Sequence, residues 1–220
     1  MRFAAIIFDF DGVIVDSEIL ANAILADALT ELGHPTTTEQ AVDRYIGLHW
    51  ADTCAAIEAE MGRALPADFK ARTSEAFQLR LEEVTAVAGV ADFLQALPPI
   101  PKAVASSSPI RWLRGSLQRF GLAHHFGERL FSAAEHVPRG KPHPDIYLHA
   151  AAELGVEPGR ALVIEDTPAG VTAARSAGMT VIGLCAGLHC GPGYGDRLRD
   201  AGAGHVAGAY REVLDIIVSS

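Results

Sequence analysis

Residues 4–13 read Ala-Ala-Ile-Ile-Phe-Asp-Phe-Asp-Gly-Val, an apolar run that ends in two carboxylates one residue apart. The apolar run predicts a buried strand. Because side chains alternate faces along a strand, Asp9 and Asp11 are expected to begin on the same side. Two carboxylates this close raise each other's pKa unless a cation lies between them. The pair therefore predicts divalent-metal chemistry at the end of the first core strand.

Short apolar stretches recur along the chain and alternate with helix-like segments. Buried parallel strands are predicted at 4–8, 103–105, 162–164 and 181–184, with weaker candidates at 130–132 and 204–207. Helix N-caps are expected at Ser108 and Thr167, each of which precedes a proline. Strands that alternate with helices of about ten residues predict an α/β fold with a doubly wound parallel sheet.

Residues 15–85 have a different pattern. Leu25, Leu29 and Leu32 keep a helical spacing, and no continuous β-branched run interrupts the segment. The segment is also too long for a loop. We therefore predict a separate all-helical domain over residues 15–85, inserted into an α/β core formed by residues 1–14 and 86–220.

The composition limits the classes of partner. The chain has 220 residues, of which 49% are hydrophobic and 20% charged, as expected for an ordinary soluble protein with a substantial core. A net charge of −9 argues against binding to nucleic acid, although a small phosphorylated ligand needs only a metal and one local cation. No apolar stretch approaches the length of a membrane span or a signal segment, so no membrane partner and a cytoplasmic location are expected. The oligomeric state stays open, and a monomer is compatible with the sequence.

The cysteines do not predict a disulfide framework. Cys54, Cys185 and Cys190 are too few and too scattered for structural disulfides, so reduced thiols are expected. A metal clip formed by Cys185, His189 and Cys190 would lack a second pair of ligands. His189 is expected to be a solvated loop histidine, and the roles of these three residues stay open.

Polar groups follow several of the predicted strands, which is where ligands bind in an open parallel sheet. These groups are Asp9 and Asp11, Ser106-Ser107-Ser108, and Glu165-Asp166, and between the last two of them Lys141 lies on a segment stiffened by two prolines. Singly, the serines could cap a helix, Lys141 could belong to a turn, the Glu165-Asp166 pair could complement a helix dipole, and the first pair could bind calcium. Together they combine carboxylates suited to Mg²⁺ with hydroxyls and a lysine suited to phosphate, which predicts a phosphoryl-transfer site. A P-loop nucleotide site is excluded, because no Gly-x4-Gly-Lys-Ser/Thr sequence is present.

These residues make the chain resemble the haloacid dehalogenase (HAD) superfamily, in the phosphatase and β-phosphoglucomutase-like branch that carries a helical cap after the first strand. The resemblance covers essentially the whole chain and includes the stretch Glu165-Asp-Thr-Pro-Ala-Gly. It implies that Asp9 is a nucleophile that becomes phosphorylated and that Asp11 is a general acid and base. It also implies that Mg²⁺ is held by Asp9, the backbone carbonyl of Asp11, and Asp166, with Glu165 acting directly or through water. Ser106, Ser107 and Lys141 are expected to bind the phosphoryl group.

The chain departs from the β-phosphoglucomutase pattern at positions that concern the substrate. Where that pattern has a His, this chain has Ala21, and where it has a cap Arg that binds a second phosphate, this chain has Trp50. An Asn often found four residues after the motif serine is Ile110 here. Hydrolysis of the phosphate ester is therefore favoured over the phosphomutase reaction. A phosphomutase, a dehalogenase and a non-catalytic metabolite-binding module are the alternatives.

The resemblance thus implies a Mg²⁺-dependent phosphatase for a small phosphorylated metabolite, expected to be a sugar or sugar-acid phosphate. The predicted hinges of the cap are residues 14–17 and 83–88. Substrate specificity is assigned by position to Asp16, Gly47, Leu48, His49 and Trp50.

Overall fold

A computed structural model describes residues 3–48 and 50–219. Its strands are β1 Ala5–Phe8, β2 Val15–Asp16, β3 Thr85–Ala86, β4 Lys102–Ser106, β5 Leu130–Ser132, β6 Ala161–Glu165, β7 Thr180–Leu184 and β8 His205–Ala207. Its helices are α1 Glu18–Glu31, α2 Thr38–Tyr45, α3 Trp50–Met61, α4 Phe69–Leu79, α5 Val90–Ala96, α6 Ile110–Arg119, α7 Ala123–Phe126, α8 Ala133–His136, α9 Asp145–Glu153, α10 Pro168–Ser176, α11 Tyr194–Asp200 and α12 Tyr210–Val218. Short 3₁₀ turns lie at Leu81–Glu83 and Pro158–Arg160.

Strand β1 lies in the middle of a six-stranded parallel sheet with the order β5-β4-β1-β6-β7-β8. The chain builds one side of the sheet through β4 and β5 and then crosses to β6 on the other side of β1. Phe8 pairs in register with Val104 of β4 and Ile164 of β6, so the three strands end at nearly the same level. Such a reversal of strand order opens a crevice at the carboxyl ends, where ligands bind. The predicted doubly wound α/β fold is confirmed.

Apolar residues on both faces of β1 explain why the sheet is covered by helices on both sides. Ile6 and Phe8 belong to one buried apolar cluster, and Ile7 belongs to the other. The ring of Phe8 is fully buried and packs edge-on against Phe93 and Phe126, with centroid distances of 6.1 and 5.6 Å. Truncating such a ring to alanine costs about 3–5 kcal/mol. The strand that carries the site is therefore held rigidly.

Helices α1 to α4 lie between β2 and β3, which form a separate antiparallel ribbon. The ribbon pairs Val15 with Ala86 and Asp16 with Thr85, where the helical segment leaves the sheet domain and returns to it. These helices share an apolar cluster of their own, made of Leu25, Ala26, Leu29, Ala41, Tyr45, Ile57 and Phe69. The domain bounds at 15–85 stay a prediction. Within the described residues, no helix is both long and apolar enough to cross a membrane.

Candidate active site

Asp9 and Lys141 form a buried ion pair at the carboxyl edge of the sheet. Asp9 directly follows β1, and its backbone N–H donates to the carbonyl of Ile164 at 2.9 Å, which extends the β1–β6 ladder by one residue. Its carboxylate Oδ1 lies 2.6 Å from Lys141 Nζ, although the two residues are 132 positions apart. Both residues are buried, at 6% and 7% exposure. The ion pair leaves the Asp9 carboxylate aimed into the crevice.

Glu165, at the end of β6, has both carboxylate oxygens occupied by protein donors. Oε1 accepts from Lys141 Nζ at 2.6 Å and from the Tyr147 hydroxyl at 2.9 Å. Oε2 accepts from the backbone N–H and the hydroxyl of Thr167, at 2.7 and 3.0 Å. An added Cβ at Gly170 would overlap this carboxylate, so the Gly in the Glu-Asp-Thr-Pro-Ala-Gly stretch has a steric reason. Four donors fill the roughly four acceptor positions of a carboxylate, which favours a role for Glu165 in orienting Lys141 over direct metal ligation.

Asp166 is the carboxylate whose surroundings fit a metal best. Its two carboxylate oxygens are buried without a hydrogen-bond partner among the described residues. Ligand atoms of Asp9, Glu165 and Asp166 lie within 4.8 Å of one another. Three carboxylates around the single ammonium of Lys141 leave an excess of two negative charges, which a divalent cation with oxygen ligands would balance.

The electrostatics of this cluster point the same way. Burial raises the pKa of Asp9 well above its usual range; Lys141 opposes that rise, and Glu165 and Asp166 add to it. Burial, followed by the nearby Glu165 carboxylate, also raises the pKa of Asp166. Carboxylates in this condition are stabilised in their charged form by a bound cation. The residues present therefore fit Mg²⁺.

The side chain of Asp11 is held by three donors. Its Oδ1 accepts from the Ser17 hydroxyl at 2.6 Å and from the indole Nε1 of Trp112 at 2.9 Å, and its Oδ2 accepts from the Ser108 hydroxyl at 2.6 Å. Ser108 does not cap helix α6 as predicted: the N-cap is Pro109, without a side-chain hydrogen bond, because the Ser108 hydroxyl is used by Asp11. The expected cap at Thr167 is confirmed by its hydrogen bond from the Gly170 N–H at 3.1 Å.

The serines after β4 face a cavity of about 680 Å³ between the sheet and helices α1 to α4. Ser106 is buried at 1% exposure, and its Oγ accepts from the Ser108 N–H at 3.0 Å, whereas Ser107 is exposed. Asp9, Asp11 and Lys141 line the same cavity. The structure thus brings together the predicted nucleophile, acid/base, lysine and serines on one wall.

The predicted specificity residues are only partly found in this cavity. Gly47, Leu48 and Trp50 line it, and His49 lies outside the described residues. Asp16 is absent from the lining; it is buried, and both its carboxylate oxygens accept from the Leu188 N–H at 3.2 Å. This placement does not support Asp16 as a specificity residue.

Several further polar side chains line the cavity. They are Glu18, Asn22, Thr53, Lys70, Thr73, Ser74 and Arg111. Burial, followed by the charges of Asp11 and Asp166, raises the pKa of Glu18 to about 8. A signal for this helix face exists in the sequence, since Glu18 and Asn22 are one helical turn apart, but only the fold tells which face meets the site.

His189 is not the solvated loop histidine that the sequence suggested. Its side chain is fully buried, and its Nε2 lies 3.0 Å from Oδ2 of Asp166. Burial lowers its pKa, and nearby acidic groups oppose that effect. Cys54, Cys185 and Cys190 are free thiols, as expected.

Comparison with known proteins defines the class. A family model described as haloacid dehalogenase-like hydrolase matches residues 6–184. A conserved haloacid dehalogenase-like protein of unknown function from Agrobacterium tumefaciens has the same fold, with a TM-score of 0.90 and 37% identity over 99% of this chain and 98% of that one. The chain therefore belongs to the haloacid dehalogenase-like hydrolase family, as the resemblance implied.

Two further similar proteins bear on the class of enzyme and on the ligands of the site. The chain is similar to 6-phosphogluconate phosphatase of Escherichia coli, with 28% identity over 87% of this chain and 86% of that protein. It is also similar to a HAD family hydrolase from Deinococcus radiodurans with bound phosphate and sodium, with a TM-score of 0.79 and 31% identity over 99% and 96% of the two chains. Other curated relatives are named phosphatases as well, so the predicted enzyme class is confirmed.

Proposed function

We propose that this chain is a Mg²⁺-dependent phosphomonoester hydrolase that works through a phosphorylated Asp9. The observation that carries the proposal is the buried ion pair between Asp9 Oδ1 and Lys141 Nζ at 2.6 Å, beside the partnerless carboxylate of Asp166. A carboxylate held charged next to a cation site, at the carboxyl edge of a parallel sheet, is suited to attack a phosphorus atom.

The metal would be held by Asp9, Asp166 and the backbone carbonyl of Asp11, and when bound it offsets the repulsion between carboxylates and a phosphate dianion. Glu165 contributes through Lys141, because its own oxygens already accept four hydrogen bonds. Lys141 adds a second positive charge from the side of the sheet. Together with the hydroxyls of Ser106 and Ser107, it binds the oxygens of the transferring phosphoryl group.

Asp11 acts as the acid and the base. It donates a proton to the leaving alcohol when Asp9 attacks, and it then takes a proton from the water that hydrolyses the aspartyl-phosphate. Its hydrogen bonds from Ser17, Ser108 and Trp112 fix the orientation of the carboxyl group for both steps. Asp9 and Asp11 thus have different roles, as nucleophile and as acid and base. This difference explains why two carboxylates one residue apart have such different hydrogen-bond partners.

The substrate is a small phosphorylated metabolite of the sugar or sugar-acid class. The cavity of about 680 Å³ has hydroxyl, amide and charged side chains among apolar ones on its cap side, and these polar groups could hydrogen-bond to the hydroxyls of a sugar or polyol. The similarity to a 6-phosphogluconate phosphatase supports the same class. Gly47, Leu48 and Trp50 are proposed as specificity residues from the cap, because they line the cavity opposite the catalytic wall.

The test is hydrolysis of an aryl phosphate, followed by a broad panel of phosphate esters. Phosphate release should require Mg²⁺, should stop in EDTA, and should be lost in Asp9→Asn. Turnover that continues in EDTA, or in Asp9→Asn, would overturn the proposal. Interconversion of sugar-phosphate isomers with a bisphosphate activator would identify a phosphomutase instead.

A further inference from the structure

The loop between β7 and α11 places His189 beside Asp166 of the candidate site. The imidazole is fully buried, and its Nε2 lies 3.0 Å from Asp166 Oδ2. The N–H is not aligned with that oxygen, so the contact is an electrostatic one rather than a formed hydrogen bond. The same Nε2 lies 3.2 Å from the Cys190 sulfur. A buried imidazole beside a buried, partnerless carboxylate calls for an explanation.

Two glycines make room for this ring. A Cβ at Gly12 would overlap Oδ2 of Asp166 and come within 2.9 Å of His189 Cε1. A Cβ at Gly187 would lie 2.6 Å from His189 Cε1 and 2.7 Å from its Nδ1. Gly12 also has a φ of +77°, which side chains rarely adopt. The ring therefore occupies a space that two backbone segments leave clear.

The loop that carries the ring is anchored at several points. The Leu188 N–H donates to both carboxylate oxygens of Asp16 on strand β2, at 3.2 Å each. The Cys190 N–H donates to the Gly187 carbonyl at 3.0 Å, which closes the turn around His189. The ring of Tyr194 packs edge-on against the imidazole at 5.3 Å. These contacts hold the imidazole in place and limit its rotation.

We propose that His189 is a positioning residue for the Asp166 carboxylate. It would restrain the Asp166 carboxylate through the 3.0 Å contact between Nε2 and Oδ2, which would hold this carboxylate in place for the cation. The inference rests on the proposed function, in which Asp166 is a ligand of Mg²⁺. Groups that orient a metal ligand from behind typically change metal affinity by 10–100-fold when they are removed. The same loop is bonded to Asp16, a residue of the predicted cap hinge, through the Leu188 N–H.

The test measures Mg²⁺ binding directly, by calorimetry on protein freed of metal with EDTA. His189→Leu keeps a side chain in the space but removes the polar contact from Nε2, and it should raise the Mg²⁺ Kd by about 10–100-fold. His189→Gln can place an amide N–H near the position of Nε2, and it should keep the Kd close to that of the parent. At saturating Mg²⁺, kcat of His189→Leu should recover toward the parent value.

The matched control is Leu188→Ala, since this side chain is 73% exposed on the same loop and should leave the Kd unchanged. A parent-like Mg²⁺ Kd in folded His189→Leu would overturn the proposal. If His189→Leu does not fold, His189→Asn decides: it is too short to reach Oδ2, so a Kd equal to that of His189→Gln would overturn the proposal. If the parent protein hydrolyses no phosphate ester but the His189 variants bind Mg²⁺ more weakly than the parent does, the proposed function would be overturned and this inference would stand.

Discussion

The indole Nε1 of Trp112 donates a 2.9 Å hydrogen bond to Oδ1 of Asp11, joining residues that are 101 positions apart. Trp112 lies in the first turn of α6, and its ring packs edge-on against Phe77 of α4 at 5.5 Å. The same side chain therefore contacts the proposed acid/base on one side and the cap on the other. Trp112 thus links helix α4 to Asp11 through two direct contacts.

Trp112→Phe should lower kcat while leaving the fold intact. The substitution keeps an aromatic ring against Phe77 but removes one of three donors to Asp11. A hydrogen bond to a charged group is worth about 1.5–3 kcal/mol, so a loss of about 10- to 100-fold in kcat is expected while the two serine donors remain. Steady-state kinetics on an aryl phosphate measures it. Phe77→Leu is the control, because it changes the aromatic contact without removing a donor; equal losses in both variants would contradict the prediction.

Lys141→Met should destabilise the protein as well as abolish activity. Lys141 Nζ is 2.6 Å from both Asp9 and Glu165, and its removal leaves two buried carboxylates without their cation. Breaking a buried pair by removing one partner costs about 3–5 kcal/mol. Urea unfolding in EDTA measures the loss. Lys102→Met removes a lysine whose Nζ donates to the Ile100 carbonyl at 3.3 Å, and it should cost far less; similar losses in the two variants would contradict the assignment.

The strand ends could be predicted from the sequence because local chemistry determines them. The apolar run at 4–8 corresponds to β1 at Ala5–Phe8, and Asp9 follows it directly. A strand buried on both faces reads as a continuous apolar stretch, so the fold class follows from the alternation of such stretches with helices. Most of the candidate site residues could be predicted because they lie at or directly after the end of a strand, whereas Lys141 lies on the segment between α8 and α9.

The partners of those residues could not be predicted, because distant segments supply them. Trp112 reaches Asp11 across the sheet edge, and no spacing in the sequence indicates this contact. The Ser108 hydroxyl had two possible uses, and its bond to Asp11 displaced the predicted helix cap. His189 resembles any loop histidine until the fold places it beside Asp166.

Mg²⁺ should raise the melting temperature of the metal-free protein. A ligand at about 100 times its Kd stabilises the folded state by about 2.7 kcal/mol, which is roughly 5–10 °C for a chain of this size. Thermal denaturation in EDTA and in excess Mg²⁺ measures the shift. Asp166→Asn should melt above the parent in EDTA, because it removes a buried charge, and should gain little from Mg²⁺. A parent-like shift in Asp166→Asn would count against Asp166 as a ligand.

The stability of the metal-free protein should fall as the pH rises from about 4.5 to about 8, and Glu18 should contribute to this fall alongside Asp9 and Asp166, whose pKa values are also raised. Its carboxyl has a pKa of about 8 in the folded chain against an ordinary value of 4.5, so the folded state binds this proton more tightly than the unfolded state. Stability from a raised carboxyl pKa is fully present below the unfolded value and is lost as the pH approaches the folded value. Urea unfolding in EDTA across this range measures the slope. Glu18→Gln should flatten it, and Glu31→Gln, at an exposed position, should not; an unchanged slope in Glu18→Gln would contradict the prediction.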